Sequence, residues 1–391
     1  MTRYFFILFI LAVLIPAPAT AQTTSARDVL SFLMTTQAVA TGDFVKDREA
    51  ADATRDTIAR ALLVEMATLP LATSSGAFTY RFNPDIGTME RVTQSFGPYF
   101  INRVITAGRG QTTMAVAFRH ADFVRLSGRD LRDGSLVTTA NKFRGEATPF
   151  DVEALSLNLQ MQTTTFSGNY GLTDRVDLSV AVPLVHVALS GERINTYGGA
   201  SLVQATGSAT SSGLGDIALR SKFQLWRNPA ASLGGEVEFR LPTGSVENLS
   251  GSGEAALKPT VIMSAGTGPV EVHGNAGFVV GGLSNEFSVG GAVSIAARER
   301  LTVSFEALVR HISALHSIRE VSQPHPLFAG VDTIRLLPDA GATTETISAA
   351  GVRWNPAGGW ILNAYMLTPI GGQGLRSRPS PTISLEYSMI R

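Results

Sequence analysis

The connections between the predicted strands are sorted by length, and this order constrains the fold more than any other sequence feature. Twelve stretches have strand character: 112–126, 152–169, 175–189, 215–226, 231–242, 255–265, 270–280, 286–296, 300–312, 343–354, 360–368 and 381–390. Short turns alternate strictly with connections that are, with one exception, long: 127–151, 190–214, 243–254, 281–285, 313–342 and 369–380. A soluble sandwich has no reason to sort its loops, whereas outer-membrane barrels place short turns at one end and long loops at the other. The sequence therefore predicts an all-β fold, an antiparallel transmembrane β-barrel.

Within these stretches the residues alternate between two faces. Apolar residues occupy every second position, as at Leu155, Leu157, Leu159 and Met161, with serine, asparagine or glutamine between them. This period of two is typical of an antiparallel sheet with one apolar face. A soluble sandwich gives the same alternation, so the order of the loops decides between the two.

The first 21 residues have the features of a secretory signal peptide. Arg3 precedes the apolar run Tyr4–Ile15, and Ala19-x-Ala21 offers a cleavage site before Gln22. The run has 12 residues, and a membrane-spanning helix needs about 20, so a helical membrane protein is excluded. The alternative for 1–21 is a buried N-terminal helix. We predict cleavage near Ala21 and an address in the outer membrane of a Gram-negative bacterium.

The segment 22–75 is predicted to be helical. Apolar residues recur there at helical spacing before Pro70 ends the pattern: Ile58, Leu62, Met66 and Leu69. Such a segment can form a plug inside the barrel or a periplasmic contact, or it can pack across the barrel mouth for stability, and the sequence leaves these alternatives open.

The residues 76–111 are ambiguous. Phe78–Phe82 and Gln94–Ile101 can form a further hairpin, with a turn at Pro84 and Gly87. The barrel, 112–391, is therefore predicted to have about twelve strands, or fourteen if this hairpin joins it.

Charged and histidine side chains fall on the face opposite the apolar one. By strand parity they are Arg220, Lys222, Glu236, Glu238, Arg240, Lys258, Glu271, His273, Glu306 and Arg310. A charge facing lipid at mid-bilayer costs about 2–4 kcal/mol, so these side chains are predicted to point into the lumen. They can line a polar passage or substrate site, or they can fill the interior with salt bridges. Folding the hairpin about Asn228 predicts that Arg220 pairs with Glu236.

The three tryptophans adjoin predicted short turns. Trp226, Trp354 and Trp360 therefore fit the aromatic girdle at one membrane interface. Trp354 and Trp360 share parity with lipid-facing neighbours. Trp226 has the opposite parity, so it needs a β-bulge to face lipid.

The composition excludes several classes of function. Lys plus Arg and Asp plus Glu are 32 each, so no positive excess is available for a nucleic acid. The chain has no cysteine, and its six histidines form no His-x-x-x-His or His-Glu-x-x-His pair. No Gly-x-Ser-x-Gly elbow occurs. We predict no enzyme, no metal site and no cofactor.

Three motifs resemble a known family. They are Tyr170-Gly171-Leu172-Thr173-Asp174-Arg175-Val176-Asp177 with Val180-Ala181-Val182-Pro183, Gly213-Leu214-Gly215-Asp216-Ile217 with Leu219-Arg220, and Phe239-Arg240-Leu241-Pro242-Thr243-Gly244. These turns and strand starts are similar to those of the phenol-degradation MetA-pathway family of outer-membrane proteins. The resemblance implies an outer-membrane β-barrel that acts as a transporter, and it carries over no catalytic residue. The last strand departs from the usual pattern, since Met389 stands where barrel-insertion machinery usually reads an aromatic residue.

Two classes of function remain. The first is a channel or transporter for passive passage of small molecules, including apolar or aromatic ones. The second is a structural or adhesive barrel whose long extracellular loops bind ligands. The predicted partners are outer-membrane lipid, the barrel-insertion machinery and a small solute, with no nucleic acid.

Overall fold

The chain folds into a closed antiparallel β-barrel of twelve wall strands. The computed structural model describes residues 25–35, 37–68, 72, 80–83, 88–313, 317–339, 341–371 and 374–389. Two helices come first, α1 Ala26–Thr35 and α2 Phe44–Thr68. Within the described ranges, neither is long and apolar enough to cross a membrane.

The strands follow the helices. A small hairpin is formed by β1 Tyr80–Asn83 and β2 Thr88–Arg91. The others are β3 Thr112–Leu126, β4 Arg129–Asp130, β5 Leu136–Phe143, β6 Asp151–Thr173, β7 Val176–Tyr197, β8 Ala200–Leu214, β9 Ile217–Arg227, β10 Ala231–Leu241, β11 Ala256–Thr267, β12 Val270–Gly281, β13 Glu286–Arg298, β14 Leu301–Ile312, β15 Ser317–Pro324, β16 Val331–Asp339, β17 Thr343–Trp354, β18 Trp360–Ile370, β19 Leu375–Ser377 and β20 Ser380–Met389.

The wall runs through β3, β6, β7, β9 to β14, β17, β18 and β20, and β20 closes it on β3. The remaining barrel strands lie in the long connections and extend the sheet at one end of the barrel. We call this end the loop end, and the opposite end, where the short turns lie, the turn end. The prediction of twelve strands is confirmed. The alternative of fourteen is wrong, because β1 and β2 pair only with each other among the described residues and 94–101 contains no strand. The predicted turn at Pro84 and Gly87, and the signal peptide, lie outside the described residues.

The inner and outer faces exchange character along the strands. On β7 the inward residue Asp177 near the turn end is followed by buried Val185 and Leu189 towards the loop end. The outward residues change in the opposite sense, from exposed Leu178 and Val180 to polar groups beyond Leu184. The apolar outer belt, and hence the lipid contact, is therefore confined to the turn-end part of the barrel.

The loop-end interior is a hydrophobic core. The buried apolar residues of α1 and α2 form one cluster with inward residues from strands all around the barrel, including Leu155, Leu157, Leu159 and Met161 of β6. Burial of each of these apolar side chains contributes roughly 1.5–3 kcal/mol to the stability of the fold. The alternation seen in the β6 sequence thus marks a face that packs on helices rather than on lipid.

The tryptophans lie at the turn end. Trp226, Trp354 and Trp360 are all exposed, and Trp360 packs on Tyr387 with ring centroids 4.6 Å apart. The register between β9 and β10 skips Leu225, because Trp226 pairs with Leu233 while Gln224 pairs with Gly234. This bulge supplies the change of parity that Trp226 needs to face outward.

Candidate functional site

The lumen is occupied by the chain's own N-terminal segment, and α1 is its first part. The Arg193 guanidinium donates to the carbonyl oxygens of Leu33 and Met34, at 2.8 and 2.6 Å, and to Glu153 at 2.8 Å. It therefore satisfies carbonyls at the C-terminal end of α1 that have no partner within the helix. Glu153 in turn accepts the backbone N–H of Ala38 at 2.7 Å. Because Arg193 and Glu153 are fully buried, removing either would leave an unpaired charge.

Helix α2 descends from the loop end towards the middle of the barrel. Near its start, Asp47 accepts a 2.8 Å hydrogen bond from Nε of Arg335 on β16, and Thr54 donates to the carbonyl of Leu336 at 2.8 Å. Near its end, Glu65 lies 3.8 Å from Arg310 on β14. The helix is thus fixed to the inner wall at both ends by buried polar contacts.

The second occluding element is residues 92–111, which we call the strap. It has no helix and no strand, so its backbone groups need other partners. Glu306 on β14 supplies them for three consecutive N–H groups, those of Tyr99, Phe100 and Ile101, at 2.7, 2.8 and 2.7 Å. The Glu306 side chain is inward-facing and 5% exposed. Hydrogen bonds to a charged group contribute about 1.5–3 kcal/mol each, so this carboxylate is a strong anchor.

The strap carbonyls are held by inward-facing cations. Arg353 donates to the carbonyls of Phe96 and Pro98 at 2.7 and 3.0 Å, and its other guanidinium nitrogen pairs with Glu386 at 2.8 Å. Lys222 donates to the carbonyl of Ile105 at 2.7 Å. Acids of the wall therefore bind strap N–H groups, and bases of the wall bind strap carbonyls.

The strap leaves the lumen over the first of the family-like motifs. Gly110 donates to the carbonyl of Gly171 at 2.7 Å, and Gly171 donates back to the carbonyl of Gln111 at 2.9 Å. A Cβ at Gly171 would collide with the carbonyl of Gly108, which explains the need for glycine. Asp177 accepts the N–H of Ala107 at 2.9 Å.

The other two motifs fix the connection 243–254. Asp216 accepts the N–H of Gly244 at 3.0 Å and the N–H and hydroxyl of Ser252 at 2.7 and 2.6 Å. Leu249 at the tip is fully buried in the core cluster that contains α1. This connection therefore folds inward, and the residues that carry the family resemblance hold occluding parts of the chain.

Five of the ten predicted lumen residues form a layer of ion pairs at mid-barrel. The Glu238 carboxylate accepts a hydrogen bond from Nε of Arg220 and another from Nε of Arg240, each at 2.6 Å. The predicted pairing of Arg220 with Glu236 is wrong, because the turn at 228–231 and the bulge at Leu225 place Arg220 opposite Glu238. Glu236 instead accepts the Asn102 amide of the strap at 2.8 Å.

The layer continues around Arg310, which is completely buried. Its guanidinium lies 3.1 Å from Glu345 and 3.5 Å from Glu286, and Glu286 is 3.7 Å from Lys258. With Glu65 included, three carboxylates surround one guanidinium. Burial, followed by repulsion from Glu345, raises the pKa of Glu65 to about 8.

Glu271 and His273 lie nearer the turn end. Glu271 accepts a hydrogen bond from Ser95 of the strap, and His273 Nδ1 is 2.9 Å from the Ser264 hydroxyl. The structure thus divides nine of the ten candidates into strap contacts and an ion-pair layer, and the tenth, His273, contacts Ser264 of the wall. It also brings in residues that we did not predict: Asp177, Glu286, Glu345, Arg353 and Glu386. Parity would have indicated Arg353, which stands between the exposed residues Val352 and Trp354.

Open space remains at both ends of the barrel. A cavity of about 430 Å³ opens at the turn end between the strap and the turns at 227–231 and 266–268. Another of about 460 Å³ lies at the loop end beside Arg60 and Leu283. Between them, among the described residues, the cavities beside Glu238 and Tyr99 hold about 30 Å³ each, room for a water or two. No group of His, Asp or Glu side chains in the described part of the chain could hold a metal ion.

The closed sheet, the outer apolar belt, the tryptophans at one edge and the polar inner wall define an antiparallel β-barrel of the outer-membrane type. The family model described as "Putative MetA-pathway of phenol degradation" matches residues 137–307, less than half of the chain. This match contains all three motifs, so the resemblance to that family is confirmed over these residues.

Solved structures show similar barrels. The COG4313 outer membrane channel from Pseudomonas putida F1 is 12% identical with a TM-score of 0.47, and the alignment covers 73% of this chain and 98% of that one. The KdgM porin is 8% identical with a TM-score of 0.37, covering 71% and 99%. The translocator domain of the autotransporter NalP from Neisseria meningitidis is 11% identical with a TM-score of 0.37, covering 72% and 88%. No curated protein matches the chain in sequence.

Proposed function

We propose that this protein is an outer-membrane channel for passive passage of small molecules, closed at rest by its own N-terminal segment. The single observation that carries the proposal is the way the strap is held. Its backbone bonds to inward side chains of the wall, such as Glu306, Arg353 and Lys222, while its apolar side chains, Phe96 and Ile101 among them, are buried. Polar contacts of this kind can be exchanged for water when a segment moves, and they leave a hydrophilic wall behind.

The interior is closed in two layers. The helical layer, α1 and α2, packs on an apolar surface at the loop end, and the strap closes the polar turn end. A barrel of twelve strands lies between the eight-stranded size that side chains fill and the open sixteen-stranded porins. A lumen of that size passes small solutes only if both layers yield. The proposal includes export with cleavage after Ala21 and insertion into the outer membrane, with lipid and the insertion machinery as partners.

The test is conductance in planar bilayers for three mature proteins. They are the full chain, a deletion of 25–70 that removes the helices, and a deletion of 25–106 that also removes the strap up to Thr106 and keeps 107–111. The proposal expects few openings in the first, little change in the second, and a stable open pore in the third, because the strap alone still closes the turn end.

Heat-modifiable mobility on gels provides the folding control for each deletion. If the folded 25–106 deletion neither conducts nor passes solutes, the channel function is rejected, and the structural or adhesive barrel takes its place. A large pore after removal of the helices alone would instead show that the strap does not close the lumen.

A further inference from the structure

A cluster of arginines lies on the outer surface of the barrel where the apolar belt ends. Arg125 and Arg376 are directly opposite each other in the ladder between β3 and β19. Arg132 and Arg378 both form ion pairs with Asp122 of β3, the latter at 3.4 Å. We call Arg125, Arg132, Arg376 and Arg378 the arginine rim.

The rim lies at the height of a lipid headgroup. Along β3 the outward residues Val116 and Phe118 are exposed and apolar, and Asp122 is four residues further on the same face. A barrel's apolar band is about 25 Å tall, which corresponds to roughly ten residues of a tilted strand. Counted from Thr112, where β3 begins, that band ends at Asp122.

The charges of the rim are incompletely compensated within the chain. Like charges directly opposite on a ladder destabilise it, and Arg125 lies between Arg376 of β19 and Asp130 of β4. Among the described residues, the Arg376 side chain donates to the carbonyl of Pro369 at 2.7 Å. The Nε groups of Arg132 and Arg376 are buried and have no hydrogen-bond partner among the residues that the structure describes. Asp122 forms the ion pairs with Arg132 and Arg378.

Two further carboxylates lie nearby, Asp130 in β4 and Asp133 in the segment that follows it. Asp130 accepts the backbone N–H of Arg132, and Asp133 accepts that of Ser135, each at 2.8 Å. Four guanidinium groups therefore meet three carboxylates, two of which are engaged by backbone N–H groups. The rim keeps an excess of positive charge that faces the membrane edge.

We propose that the arginine rim binds the phosphate groups of the phosphorylated glycolipid in the outer leaflet. Guanidinium groups bind phosphate through paired, charge-assisted hydrogen bonds, and a phosphate between Arg125 and Arg376 would relieve their repulsion. The proposal rests on the outer-membrane location given under the proposed function, with the loop end of the barrel facing outside, and it adds a lipid site that the channel function does not require.

The test is binding of bis-phosphorylated lipid A to the purified full-length mature protein in detergent, measured by native mass spectrometry. Dephosphorylated lipid A and phosphatidylglycerol are the comparison lipids. The variant is Arg125→Gln with Arg378→Gln, and the matched control is Arg319→Gln, since Arg319 and Arg378 side chains are both 63% exposed. Losing each guanidinium should weaken lipid A binding about tenfold, and the control should bind as the unaltered protein does.

Equal binding by the double variant and the unaltered protein would overturn the proposal. So would equal binding of dephosphorylated lipid A, and equal binding of phosphatidylglycerol would overturn the assignment to the glycolipid. Heat-modifiable mobility shows that each variant is folded. Lipid binding in detergent does not depend on conduction, so a protein that binds lipid A but never conducts rejects the channel function alone.

Discussion

Replacing Glu306 by alanine should release the strap while leaving the barrel intact. In the wild type one carboxylate accepts the N–H groups of Tyr99, Phe100 and Ile101 at 2.7 to 2.8 Å. Without it, three buried donors lose their acceptor, at about 1–3 kcal/mol each. Part of this cost is recovered because water can enter and because a buried charge is removed. We therefore expect a net loss of about 4 kcal/mol, roughly a thousandfold in the opening equilibrium.

Hydrogen exchange followed by mass spectrometry measures this directly. In the Glu306→Ala protein, peptides that cover 96–107 should lose about a thousandfold in protection, and openings in planar bilayers should become more frequent. Glu306→Gln should have a smaller effect, because it keeps one acceptor oxygen. The matched control is Ser294→Ala, which removes an inward, buried hydroxyl that has no hydrogen-bond partner in the described part of the chain. Unchanged protection of 96–107 in a folded Glu306→Ala protein would refute the reasoning.

Three further predictions concern pH, pairing and orientation. Burial and repulsion from Glu345 raise the pKa of Glu65 from 4.5 to about 8, so packed α2 keeps a proton on Glu65 that unpacked α2 would lose. The packing of α2 should therefore weaken as pH rises from about 5 to about 8. Exchange rates of α2 corrected for intrinsic pH dependence should show this, and Glu65→Gln should reduce the dependence on pH. Because Arg220 and Glu238 pair at 2.6 Å inside the barrel, truncating either side chain should lower the free energy of unfolding by about 3–5 kcal/mol. A double-mutant cycle on urea unfolding should give a coupling energy of at least about 0.5 kcal/mol. Additive effects of the two substitutions would contradict the pairing. The chain has no cysteine, so an introduced thiol can be labelled alone. Leu327→Cys, at a position 72% exposed at the loop end, should react with an impermeant thiol reagent in intact cells, whereas Ala230→Cys at the turn end should react only after lysis. The reverse pattern would show that the turn end faces outside.

The strands could be predicted from the sequence because their signals are local. Turn residues and the alternation of faces act over a few positions, so the twelve strands lie where the spacing placed them. The exact pairing could not be predicted in the same way. The bulge at Leu225 and the position of the turn at 228–231 place Arg220 opposite Glu238 rather than opposite Glu236.

The strap could not be predicted because nothing in its own sequence specifies its conformation. It has no periodicity, and its N–H groups are bound by Glu306, which is about two hundred residues away in sequence. The inward direction of Leu155 could not be predicted from the sequence for a similar reason. An alternating strand reads the same whether its apolar face meets lipid or a helix, and only the position of α1 and α2 decides.

The path of the N-terminal segment has a consequence for how the barrel is assembled. The segment passes from the loop end, where α1 lies, to the turn end, where the strap joins β3. The wall closes when β20, which follows all the other wall strands in the chain described, pairs with β3. A segment that already fills the interior is enclosed by that step, whereas a finished barrel would have to be threaded by two helices. We therefore expect β20 and β3 to pair around an N-terminal segment that is already in place. The wall strands would then assemble on the segment that they enclose.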